Sequence, residues 1–370
     1  MGKINEIFRT FGPEYIALHP DLSTNQRKVI DAIINCRTGE YGATVYRCEG
    51  CGEMHVIDRS CGNRHCPQCQ LHKTRQWLHG QLARTLPTDY FMITFTVAKA
   101  LRPFCLSHQK EAYGAMFRAA AGAIKKLAAD PKYIGADLAG FTGVLHTWGR
   151  AIPYHPHLHF IVPAGGLDKN REHWLPAGNR FYLPVRALSK IFRAKLHDEI
   201  EELGLLNATE PEAWNTDWVV HCQPTGNAQA VLKYLAPYIF RVAISDKRIV
   251  AVRDREVTFT YTKVGSNRKR KMTVDALEFI RRFLLHVLPT GFMKVRHFGF
   301  MNHNCTIPLE KIRTMIIVQR KDMAFLLADR NQGQPPERFK PVCQACGANL
   351  VFLFSIIPVK PSRFAREGPE

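Results

Sequence analysis

His155-Pro156-His157-Leu158-His159-Phe160-Ile161-Val162 is the stretch on which the reading of the fold turns. A β-strand sends alternate side chains to opposite faces, so His157, His159 and Ile161 share one face. Leu158, Phe160 and Val162 share the other and can bury against a core. Two histidines at i and i+2 lie roughly 6.6 Å apart at Cα, within reach of one metal ion. His155 has the same parity but lies about 13 Å from His159, and joins such a site only if the chain bends at Pro156. The competing reading is a surface strand whose histidines face water.

A second element adds to this one. In Tyr234-Leu235-Ala236-Pro237-Tyr238, positions i and i+4 would share one face of a helix. Eleven tyrosines in 370 residues would yield roughly a third of one such pair by chance, so the pair alone is weak evidence. Pro237 lacks an N–H and pushes Ala236 away from helical angles, so the two phenols straddle a kink or helix end and reach differently. A paired-histidine strand together with two phenols has a chemistry of its own. A metal polarises a phosphodiester and a tyrosine hydroxyl attacks it, leaving a phosphotyrosyl enzyme.

Composition narrows the partner. At 46% hydrophobic and 10% aromatic the chain is globular, and 370 residues suffice for two or three domains. Lys and Arg outnumber Asp and Glu by 51 to 32, a net charge of +19. Such a surplus favours a polyanion, most simply nucleic acid, bound more weakly as salt rises. The run Lys263, Arg268, Lys269, Arg270, Lys271, with Gly265, Ser266 and Asn267, reads as a basic loop, either merely solvated or in contact with phosphates. Met1 to Thr10 is mixed and charged, unlike a signal peptide, and Leu350 to Val359 is too short to span a bilayer. These features point to a cytoplasmic protein without a membrane partner, nucleoid-associated when bound to DNA.

Cysteine spacing suggests metal. Cys48-x2-Cys51 and Cys66-x2-Cys69 are separated by fourteen residues, close to a four-cysteine zinc ribbon in which two tight turns each present two thiolates. Cys36, His55, Cys61 and His65 supply a possible second zinc. Cys343-x2-Cys346 is a single knuckle that needs two more ligands, with His303 and Cys305 as nearby candidates.

Along the chain, residues 1–35 read as helical, with Ser23 or Thr24 as a cap. Tyr90 to Val97, Phe141 to Trp148, the histidine strand and Trp218 to Cys222 read as strands, while Gln109 to Leu127 and Leu183 to Leu203 read as helices. The order β-α-β-β-α-β is that of an α+β, ferredoxin-like (split βαβ) antiparallel sheet. Pro224 to Asn227 punctuate the chain before the tyrosine element. Three regions are expected: 1–85 with a zinc-ribbon-like module, 86–262 with the histidine sheet, and a basic, mostly helical 263–370.

The chain resembles the two-tyrosine HUH transposases, the rolling-circle transposases of bacterial insertion sequences. The resemblance rests on Leu145-His146-Thr147-Trp148-Gly149, His155 to Gly166, Tyr234-Leu235-x-x-Tyr238 with Arg241 to Ser245, and Glu278 to Leu284. His286-Val287-Leu288-Pro289-x-Gly291-Phe292 and Arg296-His297-x-Gly299-Phe300 complete it, and the N-terminal cysteines resemble the zinc-binding domain of the same family. It spans roughly residues 20 to 350. The resemblance implies Tyr234 and Tyr238 as nucleophiles, a divalent ion (Mg²⁺ or Mn²⁺) on His157 and His159, structural Zn²⁺, and single-stranded element-end DNA as partner. It also implies a third metal ligand from a neighbouring element, for which His146 and Gln229 are the candidates. Two other readings stay open: an HUH replication initiator or relaxase, and a non-catalytic zinc-ribbon nucleic-acid-binding protein.

Overall fold

The computed structural model describes residues 2–178, 181–226, 232, 243–263, 266, 268–320 and 341–358. The chain divides into two units, Met1–Leu71 with Pro335–Glu370, and His72–Gln334.

The smaller unit begins with α1 (Lys3–Leu18) and α2 (Thr24–Ile34). Ser23 caps α2 in a reciprocal capping box with Gln26, each bond 3.2 Å long. The end of α2 leaves carbonyls without intrahelical partners. Buried Asn5 of α1 donates to the Ile33 carbonyl at 2.9 Å. Arg9 donates to the Ile34 and Cys36 carbonyls at 2.8 and 2.7 Å. These polar bonds lock together two helices whose apolar faces meet through Ile4, Ile7, Phe8, Val29, Ile30 and Ile33, all buried. Next come β1 (Ala43–Cys48) and β2 (Met54–Asp58), an antiparallel pair. The free edge of β1 is taken by β13 (Leu350–Ile356), also antiparallel.

After α3 (Gln70–Leu82), the larger unit is built on a five-stranded sheet. Its strands are β3 (Tyr90–Thr96), β4 (Phe141–Trp148), β5 (Tyr154–Pro163), β8 (Val219–Gly226) and β12 (Val295–Phe298). Their spatial order is β12-β4-β5-β3-β8, and every neighbouring pair is antiparallel. Between β3 and β4 run α4 (Arg102–Ser107) and α5 (Gln109–Ala129). Between β5 and β8 run a short hairpin, β6 (Gly165–Leu167) with β7 (Trp174–Pro176), then α6 (Val185–Glu202) and α7 (Glu212–Asn215).

Register explains why the sheet has one apolar face. Phe91, Ile93 and Phe95 of β3 stand opposite Val162, Phe160 and Leu158 of β5. Leu145 and Gly143 of β4 stand opposite the same Leu158 and Phe160. That face packs under α5 and α6 around Phe95, Phe117, Phe160 and Phe192, whose rings meet edge to face 4.9 to 6.4 Å apart. Alternation then sends the even residues of β3, the odd residues of β5 and His146 to the opposite face.

The rest of the larger unit departs from expectation in part. β9 (Ile249–Arg253), β10 (Glu256–Thr262) and β11 (Lys269–Asp275) form a three-stranded antiparallel sheet. The end of the basic run is therefore not loop: Lys269, Arg270 and Lys271 lie in β11, opposite Thr262, Tyr261 and Thr260, whereas Lys263 and Arg268 lie outside the strands. Pro224, Thr225 and Gly226 likewise belong to β8 instead of interrupting the chain, with Thr225 Oγ1 donating to the Tyr90 carbonyl at 2.7 Å. The region from residue 263 is not mostly helical either. Its helices α8 (Ala276–Leu284) and α9 (Leu309–Arg320) alternate with β11, β12 and β13. The region is also divided, since β11 to α9 belong to the larger unit and β13 to the smaller. Period-two alternation in Lys271-Met272-Thr273-Val274 is the strand signal that the charge run obscured.

Candidate metal centre

His146, His157 and His159 meet on the sheet face away from the core. His146 pairs directly across from His157, and Val144, two residues before His146, stands across from His159. The ring centroids of His157 and His159 are 4.8 Å apart, those of His146 and His159 4.6 Å, and those of His146 and His157 5.4 Å. Each ring brings one nitrogen to within 4.8 Å of the other two.

Hydrogen bonds decide which nitrogen points where. His157 Nδ1–H donates to the His155 carbonyl at 2.7 Å, leaving Nε2 with its lone pair. His159 Nδ1 bonds Thr94 Oγ1 at 2.9 Å, from the strand position directly opposite. Orientation of one imidazole nitrogen by a neighbouring group is how metal-binding histidines are held. His146 stacks on Trp148, with centroids 5.1 Å apart and planes within 19°. Lys294 Nζ lies 4.6 Å from the centre of that same Trp148 ring.

Burial keeps all three rings neutral. It pushes His157 down to about 4, and it pushes His146 and His159 well below the usual imidazole range, helped by their mutual proximity. Neutral imidazoles are the metal-binding form, so the donor set is ready at physiological pH. An all-imidazole set of three suits a transition-metal ion better than Mg²⁺, which prefers oxygen and near-ideal octahedral geometry. It also leaves coordination positions open for a substrate.

His155, the other histidine of matching parity, is not in the converging set among the described residues. It contributes its carbonyl instead. Gln229, Tyr234 and Tyr238 lie outside the described residues. Thr94 and Lys294 went unnoticed in the sequence. Thr94 could have been found from Met92, Thr94 and Thr96, the less apolar half of an alternating strand that pairs with the histidines.

The cysteines group differently from their spacing. Cys66 and Cys69 gather with Cys36 and Cys61, while Cys48 and Cys51 gather with Cys343 and Cys346. The expected single set of Cys48, Cys51, Cys66 and Cys69 is thus split in two. In the first cluster Cys36 Sγ and Cys61 Sγ lie 3.6 and 3.5 Å from Cys69 Sγ. Thiols around Cys69, Cys36 first, push its pKa below the usual thiol range. The expected second set also dissolves. His65 is buried beside Cys66 but is not a member of the cluster, and His55 lies in β2 near Glu53 and Cys343. His303 and Cys305 do not complete the Cys343 knuckle: His303 bonds Arg84, and Cys305 packs beside the cluster that contains Met301 and Ile316. The physical cause is the strand pairing of β1 with β13, a contact between distant segments that local spacing cannot reveal. No cysteine among the described residues forms a disulfide.

Fold and sites together define a mixed α/β, metal-binding protein with a cysteine module suited to structural zinc. Comparison with known proteins identifies its kind. A family model described as "Putative transposase" matches residues 140–307, and one described as a transposase zinc-binding domain matches residues 7–97. "Putative transposase y4qJ" of Sinorhizobium fredii is 39% identical over 323 residues, covering 81% of this chain and 80% of the relative. The transposase for insertion sequence element IS801 of Pseudomonas savastanoi pv. phaseolicola is 25% identical over 356 residues, covering 89% and 83%. No solved structure is significantly similar. The chain belongs to the IS91 and IS801 type of bacterial insertion-sequence transposases, which carry an N-terminal zinc-binding domain. Among its described residues, no helix is long and apolar enough to cross a membrane.

Proposed function

We propose that this transposase cleaves and rejoins single-stranded DNA at element ends, working in the cytoplasm through a 5′-phosphotyrosine intermediate. The observation that carries the reading is the convergence of three neutral imidazoles, two of them oriented through Nδ1, on one face of an antiparallel sheet. The strand order β4-β5-β3-β8, with helical crossovers from β3 to β4 and from β5 to β8, supports the ferredoxin-like architecture that the resemblance implies. A divalent ion on His146, His157 and His159 would supply Lewis-acid stabilisation of charge on the scissile phosphate.

The chain's own residues would do the remainder. The hydroxyl of Tyr234 or Tyr238 attacks phosphorus, forming the new phosphotyrosyl P–O bond as the bond to the 3′ oxygen breaks. The phenol's proton passes to solvent and the departing 3′ oxygen takes one up. The number of phosphoester bonds is conserved, so rejoining needs no ATP. Thr94 and the His155 carbonyl hold two imidazoles in place throughout. Lys294, above Trp148, sets a positive charge beside the triad that favours a bound phosphate. The larger unit would be the nuclease, and the zinc-bearing unit would contribute to DNA binding. A purely structural zinc protein would not need the triad.

The test is incubation of the purified protein with single-stranded element ends and Mn²⁺, followed by denaturing electrophoresis and peptide mapping. Wild type should give a denaturation-resistant adduct on Tyr234 or Tyr238, and the double Tyr→Phe variant none. An adduct on any other residue, or no adduct with a cleavable end, would overturn the reading.

A further inference from the structure

We infer that Cys48, Cys51, Cys343 and Cys346 bind a structural zinc of their own, forming a zinc ribbon assembled from segments 298 residues apart in the chain. The family's zinc-binding model ends at residue 97 and contains only half of this donor set.

The sulfur positions fit. Cys48 Sγ lies 3.3 Å from Cys346 Sγ, Cys51 Sγ lies 3.7 Å from Cys343 Sγ, and all four lie within 4.8 Å of one another. A tetrahedron with Zn–S bonds of about 2.3 Å has edges of about 3.8 Å. Four reduced thiols this close without a shared cation would gain little, because each is a weak donor and a weak acceptor.

The two knuckles are copies of one turn. In Cys48-Glu49-Gly50-Cys51-Gly52, the Gly52 N–H donates to the Cys48 carbonyl at 3.1 Å and the Cys48 N–H to the Glu53 carbonyl at 2.9 Å. In Cys343-Gln344-Ala345-Cys346-Gly347, the Gly347 N–H donates to the Cys343 carbonyl at 2.9 Å and the Cys343 N–H to the Ala348 carbonyl at 2.8 Å. Gly52 and Gly347 have φ of +75° and +76°, a left-handed conformation that glycine adopts without strain. The Gly50 and Cys51 N–H groups also point at Cys48 Sγ, 3.3 and 3.4 Å away, as they would at a thiolate.

The knuckles are docked face to face. The Glu49 N–H donates to the Asn349 carbonyl at 3.1 Å, and Cys48 pairs with Leu350 where β1 runs against β13. A Cβ on Gly50 would meet the Ala348 Cβ at 2.9 Å and Cys346 Sγ at 3.3 Å. Glycine at position 50 is what lets the second knuckle approach. Strand pairing therefore delivers both pairs of thiols to one point, and the ion closes the assembly.

Zinc content of the purified full chain, measured by elemental analysis, tests this. Cys343→Ser with Cys346→Ser should bind one zinc per chain fewer than wild type, and so should Cys48→Ser with Cys51→Ser. Combining all four substitutions should again remove only one. Loss of two in the combined variant, or none with Cys343 and Cys346 replaced, would overturn the shared site. A measurement on wild type guards against misfolded variants: alkylation during stepwise metal release, mapped by mass spectrometry. Cys48, Cys51, Cys343 and Cys346 should become reactive together, separately from Cys36, Cys61, Cys66 and Cys69. Labelling of Cys343 and Cys346 while the zinc content is still full would refute the proposal. Neither readout involves DNA cleavage.

Discussion

At the scale of single residues, the candidate centre depends on groups that do not themselves face a metal. Thr94 is the clearest. Its hydroxyl meets His159 Nδ1 from the position directly opposite on the neighbouring strand. Thr94→Val keeps the shape of the side chain and removes the bond. Metal affinity should fall ten- to a hundredfold, the usual effect of removing such support, with little change in thermal midpoint. Titrating Mn²⁺ against cleavage and against calorimetric binding would detect this; unchanged affinity would show that Thr94 does not orient the ring. His286 carries a different consequence. It is buried, with Nδ1 at 3.2 Å from Thr147 Oγ1 and Nε2 at 3.4 Å from the Ile152 carbonyl. Burial pushes its pKa down to about 3, against about 6.5 for an unfolded histidine. Its contribution to stability is therefore fully present above about pH 6.5 and lost as pH falls towards 3, at up to about 1.4 kcal/mol per pH unit. His286→Leu should flatten the acid limb of a stability-against-pH curve by one proton, even if it lowers stability at pH 7. Denaturant titrations at pH 7, 6 and 5 would reveal it.

At the scale of elements, close backbone approach explains one residue of the family-like motif Arg296-His297-x-Gly299-Phe300. Gly299 has φ +54°, and a Cβ there would lie 1.7 Å from the Ala139 carbonyl oxygen. It follows β12 directly, so the turn fixes how β12 lies on β4. Gly299→Ala should destabilise the protein by at least about 2 kcal/mol, from overpacking and a strained backbone together. A thermal midpoint within a degree of wild type would contradict that. Elements also account for what could be read from the sequence alone. The histidine strand was legible because its alternation separates His157 and His159 from Leu158, Phe160 and Val162, and the sheet keeps that separation. His146 and the helix boundaries at α5 and α6 were nearly legible for the same reason. Cysteine partnership was not. Every C-x2-C looks alike in sequence, and only the pairing of Ala43–Cys48 with Leu350–Ile356 decides which two share a site. Strand β11 was missed because a charge run masks alternation.

At the scale of the whole molecule, two kinds of candidate metal site coexist, and their donor sets predict opposite exchange behaviour. The histidine triad offers three ligands and open positions, whereas each thiol cluster offers four and is closed. Brief treatment with EDTA should therefore abolish cleavage, and added Mn²⁺ should restore it, with zinc content unchanged throughout. Loss of zinc in step with activity would mean the sites are not separable in this way. The charge of +19 has a finer structure. In β11 the side chains alternate, so Arg270 shares a face with Met272 and Val274, and Lys269 and Lys271 share the other with Thr273. Arg270's face is the one against which α8 packs: Phe259 meets Phe279 at 6.1 Å, and Arg282 contacts Met272. The opposite face is a polar stripe in which Thr258, Thr260 and Thr262 pair with Thr273, Lys271 and Lys269. A DNA backbone lying on this polar face would meet the lysines, whereas Arg270, also exposed, projects from the other face. Lys269→Gln with Lys271→Gln should lower the slope of log affinity against log salt by about 1.4 for single-stranded DNA, about 0.7 for each phosphate contact removed. Arg270→Gln should leave the slope unchanged. At saturating DNA the double variant should still form its covalent adduct, because neither lysine is part of the histidine site. Fluorescence anisotropy across a salt series measures both slopes, and equal effects from the two variants would remove the facial assignment.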